Sequence, residues 1–240
     1  DHAIEASIAK VVGSETLAYC VDEGVQIFGG SGFCEEYSAA GAYRDERINR
    51  IFEGTNEINR LIISGTVLKK AILEELPIRD VLLNRSENML VENNFDKKIS
   101  KEAQVIEYCK SLGLIVLDNI INIYGQDFKN KQWLIEPFAD IVCSISIMHN
   151  CFLRYNQLQE GNHKDNTLPI LKLSTSHHFN KLISRVKTIN SYICDFMNFK
   201  DEKDKYDFCT VGDSSKLNYL PNEINLKKII VEEFYKQEKY

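Results

Sequence analysis

One carboxylate in an unusual setting is the strongest chemical signal in this sequence. Glu53 stands between Phe52 and Gly54 in the run Arg50-Ile51-Phe52-Glu53-Gly54-Thr55-Asn56-Glu57-Ile58-Asn59-Arg60, just ahead of a helix for which Thr55 is a fair N-cap. A carboxylate held in an apolar, water-poor site has its pKa raised toward the working pH and can act as a general base. The helix N-terminus beside it pulls the pKa the other way and supplies backbone donors for a developing oxyanion. The same spacing also suits a glutamate that only caps or salt-bridges near a helix start.

Upstream, the segment Gln26, Ile27, Phe28, Gly29 and Gly30 ends a helical pattern in glycines and runs on through Ser31-Gly32-Phe33. Glycines at a helix end let a backbone approach a pyrophosphate closely, although most such runs are plain helix stops. Between the two segments lies Tyr43-Arg44-Asp45. Other candidates carry less. His149, His163, His177 and His178 have no metal-ligand spacing with cysteines or carboxylates, and His177-His178 reads as a surface pair. No metal site is expected. Trp133 reads as a staple where a helix begins.

The elements that must position these residues are helical. Ala3, Ile4, Ile8, Val11, Val12, Leu17, Val21, Gly24, Val25 and Phe28 form an apolar stripe over one long helix, or two joined by a kink at Gly13-Ser14. A loop and a short helix through Ala39-Ala40-Gly41-Ala42 follow, then the helix behind Thr55 with Ile58, Leu61, Ile62 and Leu68, closing near Pro77. Residues 78–98 are charged and weakly periodic and read as a linker. Beyond them Cys109, Leu112, Val116, Ile120 and Ile123 recur three and four apart. So do Leu134, Phe138, Ile141, Ile145, Met148, Phe152 and Tyr155, and then Phe179, Leu182, Val186, Ile189, Ile193 and Phe196. That alternation is the seam of an antiparallel bundle. Pro137 is expected in the first turn of its helix. Residues 199–221 read as loop, and a last helix covers about 222–239. No strand is expected. The fold class is all-α, with domains at 1–77 and 99–240.

Composition bounds the function. The chain has 240 residues, 44% of them hydrophobic, and a net charge of −6, which argues against a nucleic-acid footprint. Seven cysteines, an odd number with no CxxC spacing, read as reduced, buried thiols. No apolar run approaches the ~20 residues of a membrane helix. The segment after Pro77 is acidic, so membrane association is not expected.

The ordered trio of Gln26-to-Phe33, Tyr43-Arg44-Asp45 and Arg50-to-Arg60 closely resembles the C-terminal helical domain of the acyl-CoA dehydrogenases, over roughly Ala3 to Lys70. The resemblance implies the end of that family's C-terminal four-helix bundle, missing its opening helix. The following residues resemble the extra C-terminal helical domain of the very-long-chain type and its bacterial relatives, with a segment likeness at Ala139-Asp140-Ile141-Val142. The chain then reads as the C-terminal part of a longer enzyme.

By this resemblance Glu53 takes the α-proton of a straight-chain fatty acyl-CoA while FAD accepts the β-hydride, giving the trans-2-enoyl-CoA. Glu53 and Gly54 line the substrate, with the Glu53 N–H on the thioester carbonyl. Gln26, Ile27, Phe28, Gly29 and Gly30 meet the adenosine-pyrophosphate part of an FAD held mainly by the neighbouring subunit, so a homodimer is implied. Thr55, Asn56 and Glu57 match further FAD positions. Arg44 and Asp45 are architectural, steadying the loop that carries the base. The expected electron acceptor is an electron-transfer flavoprotein, or oxygen in an oxidase variant. The expected location is the bacterial cytoplasm or the mitochondrial matrix. The 240 residues alone are expected to be inactive. A non-catalytic assembly or docking module of a paralogue is the alternative.

Overall fold

A computed structural model describes residues 2–83, 97–159, 161–196, 217 and 219–237. Nine α-helices carry the described chain: α1 Ala3–Phe28, α2 Gly30–Phe33, α3 Ser38–Arg47, α4 Asn56–Ile72, α5 Ile78–Leu83, α6 Ser100–Tyr124, α7 Gln132–Gln157, α8 Asn162–Ile193 and α9 Glu223–Gln237. Short 3-10 turns follow α3, α6 and α8. The described residues contain no strand, and the chain is all-α.

Cross-helix contacts fix the topology. Ser14 meets Asn56 while Ile8 shares a cluster with Ile63, so α1 and α4 run antiparallel. Arg60 meets Asp140 and Ser64 donates to the Ile135 carbonyl (3.0 Å), so α4 and α7 are antiparallel too. The pairs Asp140–Arg185 and Cys151–Ser174 set α7 against α8, and Asn166–Glu233 with Ser176–Glu223 set α8 against α9. The α7–α8 contact is the most extensive, as a four-residue connection between long helices favours.

The heptad stripes form the core. Cys109, Leu112, Val116, Ile120, Leu134, Phe138, Ile141, Met148, Phe152, Tyr155, Phe179, Leu182, Val186, Ile189 and Ile193 are all buried in one cluster. Leu68 of α4 and Ile78 of α5 belong to that same cluster, so apolar packing runs across the 77/78 position. Burial of the Cys109 thiol among these side chains pushes its pKa up.

Several expectations are corrected here. Residues 78–83 form helix α5 with Ile78 in the core, because Pro77 opens a new helix rather than closing a unit; residues 84–96 lie outside those described. Pro137 is the sixth residue of α7, not in its first turn, because the helix begins at Gln132. Phe196 is 58% exposed, since the 3-10 turn Cys194–Phe196 rotates it off the α8 stripe. It packs instead against Tyr124 and Tyr192. Trp133 is exposed and edges onto Tyr192. Cys20 and Cys34 are exposed, whereas Cys109, Cys143 and Cys194 are buried. At the two ends of the second half of the α1 stripe Leu17 and Phe28 are exposed, while Val21, Gly24 and Val25 between them are partly covered, and Ile58 and Ile62 of α4 are likewise exposed. Most of the 199–221 loop lies outside the described residues. Tyr219, however, is buried, and its hydroxyl donates to Glu102 (3.1 Å).

His178 is not at the surface. Its ring is half-buried beside a cavity of about 620 Å³ between α1, α7 and α8, and its Nδ1 has no partner among the described residues. Burial, with the charges of His177 and Lys181, pushes the imidazole down to about 4. An unfolded histidine titrates near ~6.5. Above that pH neither state takes the proton and stability is full. As the pH falls from about 6.5 to about 4 only the unfolded chain takes it, so stability falls with pH. Allowing for partial solvent screening, the loss is about 2 kcal/mol. Denaturant unfolding at pH 7 and at pH 4.5 should show an acid loss smaller by that amount in His178→Leu. An equal acid loss in both proteins contradicts it.

Candidate active site

The Glu53 loop joins the 3-10 turn Ile48–Arg50 to α4. It is held from both ends. The Ile51 and Phe52 N–H groups donate to the Ile48 carbonyl (2.8 and 3.0 Å). On the other side the Asn59 amide donates to the carbonyls of Gly54 (2.9 Å) and Thr55 (3.1 Å). Thr55 Oγ1 accepts from the Ile58 N–H (3.2 Å), which is the expected N-cap. Thr55→Ala should therefore cost about 1 kcal/mol in denaturant unfolding. An unchanged midpoint would mean that the cap carries no net stability.

Between these anchors the backbone turns through Glu53 (φ 54) and Gly54 (φ 78). A non-glycine residue at positive φ costs roughly 1–3 kcal/mol and persists where surrounding structure over-determines it, most often at functional sites. The loop aims the Glu53 side chain outward, beside the half-exposed rim of Ile51 and Phe52. The Glu53 N–H makes no backbone hydrogen bond among the described residues. A carboxylate and an unused donor thus sit together at the mouth of a helix N-terminus. The water-poor setting that proton abstraction needs is not supplied by this chain, because Glu53 is exposed.

The remaining predicted site residues divide. The Asn56 side chain points inward, donating to Ser14 (3.0 Å) and Glu15 (3.3 Å) and accepting from Lys10 (2.7 Å), and the residue is buried. Glu57 is exposed, and its own backbone N–H and the Thr55 hydroxyl hold its carboxyl below the ordinary range. Gln26, Ile27, Phe28, Gly29 and Gly30 are all exposed, Ile27 to 81%. Gly29 turns at φ 59, and a Cβ at Gly29 or Gly30 would meet nothing. That open backbone flanked by apolar side chains fits a flat, phosphate-bearing group laid against it. The two patches do not converge. Asn56 meets α1 at Ser14, and Gly29 lies 15 residues farther along an unbroken helix, about 22 Å away.

The Tyr43-Arg44-Asp45 expectation is also corrected. Arg44 pairs with Glu35 (2.6 Å) at the surface, which lowers the Glu35 pKa, and does not reach the Glu53 loop. The loop's approach is steadied instead by buried Glu46. Its Oε2 accepts from Arg50 Nη2 (3.2 Å), with Arg50 Nε an ionic neighbour of Oε1 at 3.2 Å.

Residues 1–68 match the sequence profile described as "Acyl-CoA dehydrogenase, C-terminal domain". The fold as a whole superposes on a solved acyl-CoA dehydrogenase from Bacillus anthracis, complexed with FAD, with a TM-score of 0.85 and 32% identity. That match covers 99% of this chain and 40% of the other. Residues 1–68 thus belong to the C-terminal domain of the acyl-CoA dehydrogenase family. A protein of Bacillus subtilis (strain 168) named probable acyl-CoA dehydrogenase is 43% identical over 157 residues, 64% of this chain and 26% of that protein. The human very long-chain specific acyl-CoA dehydrogenase, mitochondrial, is 50% identical over 64 residues, 27% of this chain and 10% of that protein. The chain thus spans about a quarter of the length of the Bacillus subtilis relative.

Every site residue predicted from sequence lies inside the acyl-CoA dehydrogenase segment 1–68. Sequence reasoning missed the groups that lock this segment to α7 and α8. Arg60, 8% exposed, donates through Nε and Nη2 to Asp140 Oδ1 (3.2 and 3.1 Å) and pairs with Glu15 (2.7 Å). Burial works against the Arg60 charge, but these two carboxylates outweigh it and raise the guanidinium's pKa. Asp140, 1% exposed, also takes Arg185 on Oδ2 (3.0 and 2.8 Å) and Lys181 at 3.5 Å. The available signal was a lone carboxylate set into the apolar stripe between Phe138 and Ile141.

Proposed function

We propose that this chain supplies the proton-abstracting part of an FAD-dependent acyl-CoA dehydrogenase acting on straight-chain fatty acyl-CoA. The observation that carries the reading is Glu53, held at positive φ between Phe52 and Gly54 at the N-terminus of α4, inside the family segment. Glu53 takes the proton at the substrate's α-carbon. Its backbone N–H, free of backbone partners among the described residues, donates to the thioester oxygen and stabilises the negative charge that gathers there as that proton leaves. Phe52 and Ile51 give the reacting end an apolar wall. Flavin, when bound, supplies the two-electron acceptor for the β-hydride.

The Gln26–Gly30 backbone and the Thr55–Glu57 turn would hold different parts of FAD. Their separation of about 22 Å along α1 favours their serving two cofactors across a homodimer. An electron-transfer flavoprotein is the proposed acceptor, and the bacterial cytoplasm or mitochondrial matrix the proposed location. No described helix is long and apolar enough to cross a membrane. Residues 1–77 act as the catalytic-domain part and 99–240 as an added helical domain.

Exposure of Glu53, Ile27 and Phe28 in this chain means that the enclosure must come from other parts of the enzyme. The 240 residues by themselves should hold no stoichiometric FAD and show no acyl-CoA-dependent dye reduction. Purified chain with a full flavin spectrum, or with turnover, would overturn the reading of the site as incomplete. In the whole protein, dye reduction across a series of straight-chain acyl-CoA lengths tests the substrate class. No reduction at any length, with FAD bound, would remove the dehydrogenase reading.

A further inference from the structure

We propose that Asp140 on α7 is a positioning residue for the Glu53 base, acting through Arg60, so that the added helical domain sets the geometry of proton abstraction. The proposal rests on the reading of Glu53 as base. Its structural ground is a polar chain that runs from Asp140 through Arg60 and Glu15 to Asn56, the first residue of α4. Asn59 holds the Gly54 and Thr55 carbonyls of the base loop. Next to Asn59 on α4, Arg60 is gripped by Glu15 of α1 on one side and Asp140 of α7 on the other. Asn56, one turn earlier, ties the same helix end to Ser14, Glu15 and Lys10. The first turn of α4, and the loop leading into it, is therefore fixed by polar contacts to α1 and α7.

Asp140 is the hub. It is buried and takes charge-assisted contacts from Arg60, Arg185 and Lys181, which leaves neither oxygen free. Removing its charge leaves Arg60 with Glu15 and Arg185 with Glu136 at 4.0 Å, and takes from Lys181 the carboxylate it faces. Arg60 then has no reason to stay on α7. A loop bearing a catalytic carboxylate tolerates little displacement, since a shift of about 1 Å can cost about 100-fold in rate.

The test uses the whole flavin-loaded protein. Asp140→Asn and Arg60→Gln should each lower kcat about 10- to 100-fold with KM for acyl-CoA within about twofold. The double variant should be no slower than the worse single, because both break one contact. Amide exchange over residues 53–58 should speed up in Asp140→Asn. Asp140→Glu, which keeps the charge, should recover much of kcat and also serves if Asp140→Asn does not fold. The proposal is overturned if folded, flavin-loaded Asp140→Asn keeps kcat within twofold. It is also overturned if the two single losses multiply in the double, or if Asp140→Glu loses kcat only in proportion to lost flavin. Full activity in Glu53→Gln would defeat the base assignment instead, and the amide exchange at 53–58 would still report the Asp140 coupling.

Discussion

Glu53→Gln in the whole flavin-loaded enzyme should lower acyl-CoA-dependent turnover by roughly 10³-fold, within the range that a positioned general base supplies. The substitution keeps the size of the side chain and the positive φ of the loop, and removes only the group that takes the proton. Flavin content should be unchanged, because the substitution leaves in place both the Gln26–Gly30 backbone and the Thr55-capped turn proposed to hold FAD. KM should move little, since the backbone N–H proposed to meet the thioester oxygen remains. Loss of FAD together with activity would make Glu53 a structural residue. Unchanged turnover would place the base elsewhere.

The largest stability effect is expected from Phe138→Ala. Phe138 is buried on α7 within the main core cluster, with its ring edge-on to Phe128 at 6.1 Å. Truncation removes an aromatic ring from the cluster that also holds Leu68 and Ile78, and leaves a cavity that the helices can only partly close. The cost should be about 3–5 kcal/mol in denaturant unfolding. Ile224→Ala, at an 84% exposed position of α9, should change stability by less than about 0.5 kcal/mol. A Phe138→Ala loss below about 1.5 kcal/mol would mean that this part of the core is loosely packed.

What the sequence disclosed followed from local rules. The N-cap at Thr55, the helix stop at Gly29 and the seams through Leu112, Phe138 and Leu182 each depend on neighbours within a few turns, so periodicity and capping chemistry revealed them. Glu53 was legible because its whole surrounding run is distinctive. Periodicity marks an apolar face but not what covers it, which is why Leu17, Phe28, Ile58 and Ile62 are exposed in this chain. Long-range partnerships were not legible. Arg60 and Asp140 are 80 positions apart, and nothing in the residues between them names the pair. Arg44 looked architectural for the base loop and instead pairs locally with Glu35. Pro137 fell in the second turn because α7 begins at Gln132, ahead of the apolar stripe used to place it.

The central proposal is that Glu53 removes the substrate's α-proton. Anaerobic mixing of the whole flavin-loaded protein with a straight-chain acyl-CoA, followed by flavin absorbance, tests this in one turnover. The flavin should bleach in the unsubstituted protein, more slowly when the substrate's α-hydrogens are deuterium, and should stay oxidised in Glu53→Gln. Bleaching at the same rate in both proteins, or no isotope effect at the α-carbon with bleaching intact, would contradict Glu53 as the base.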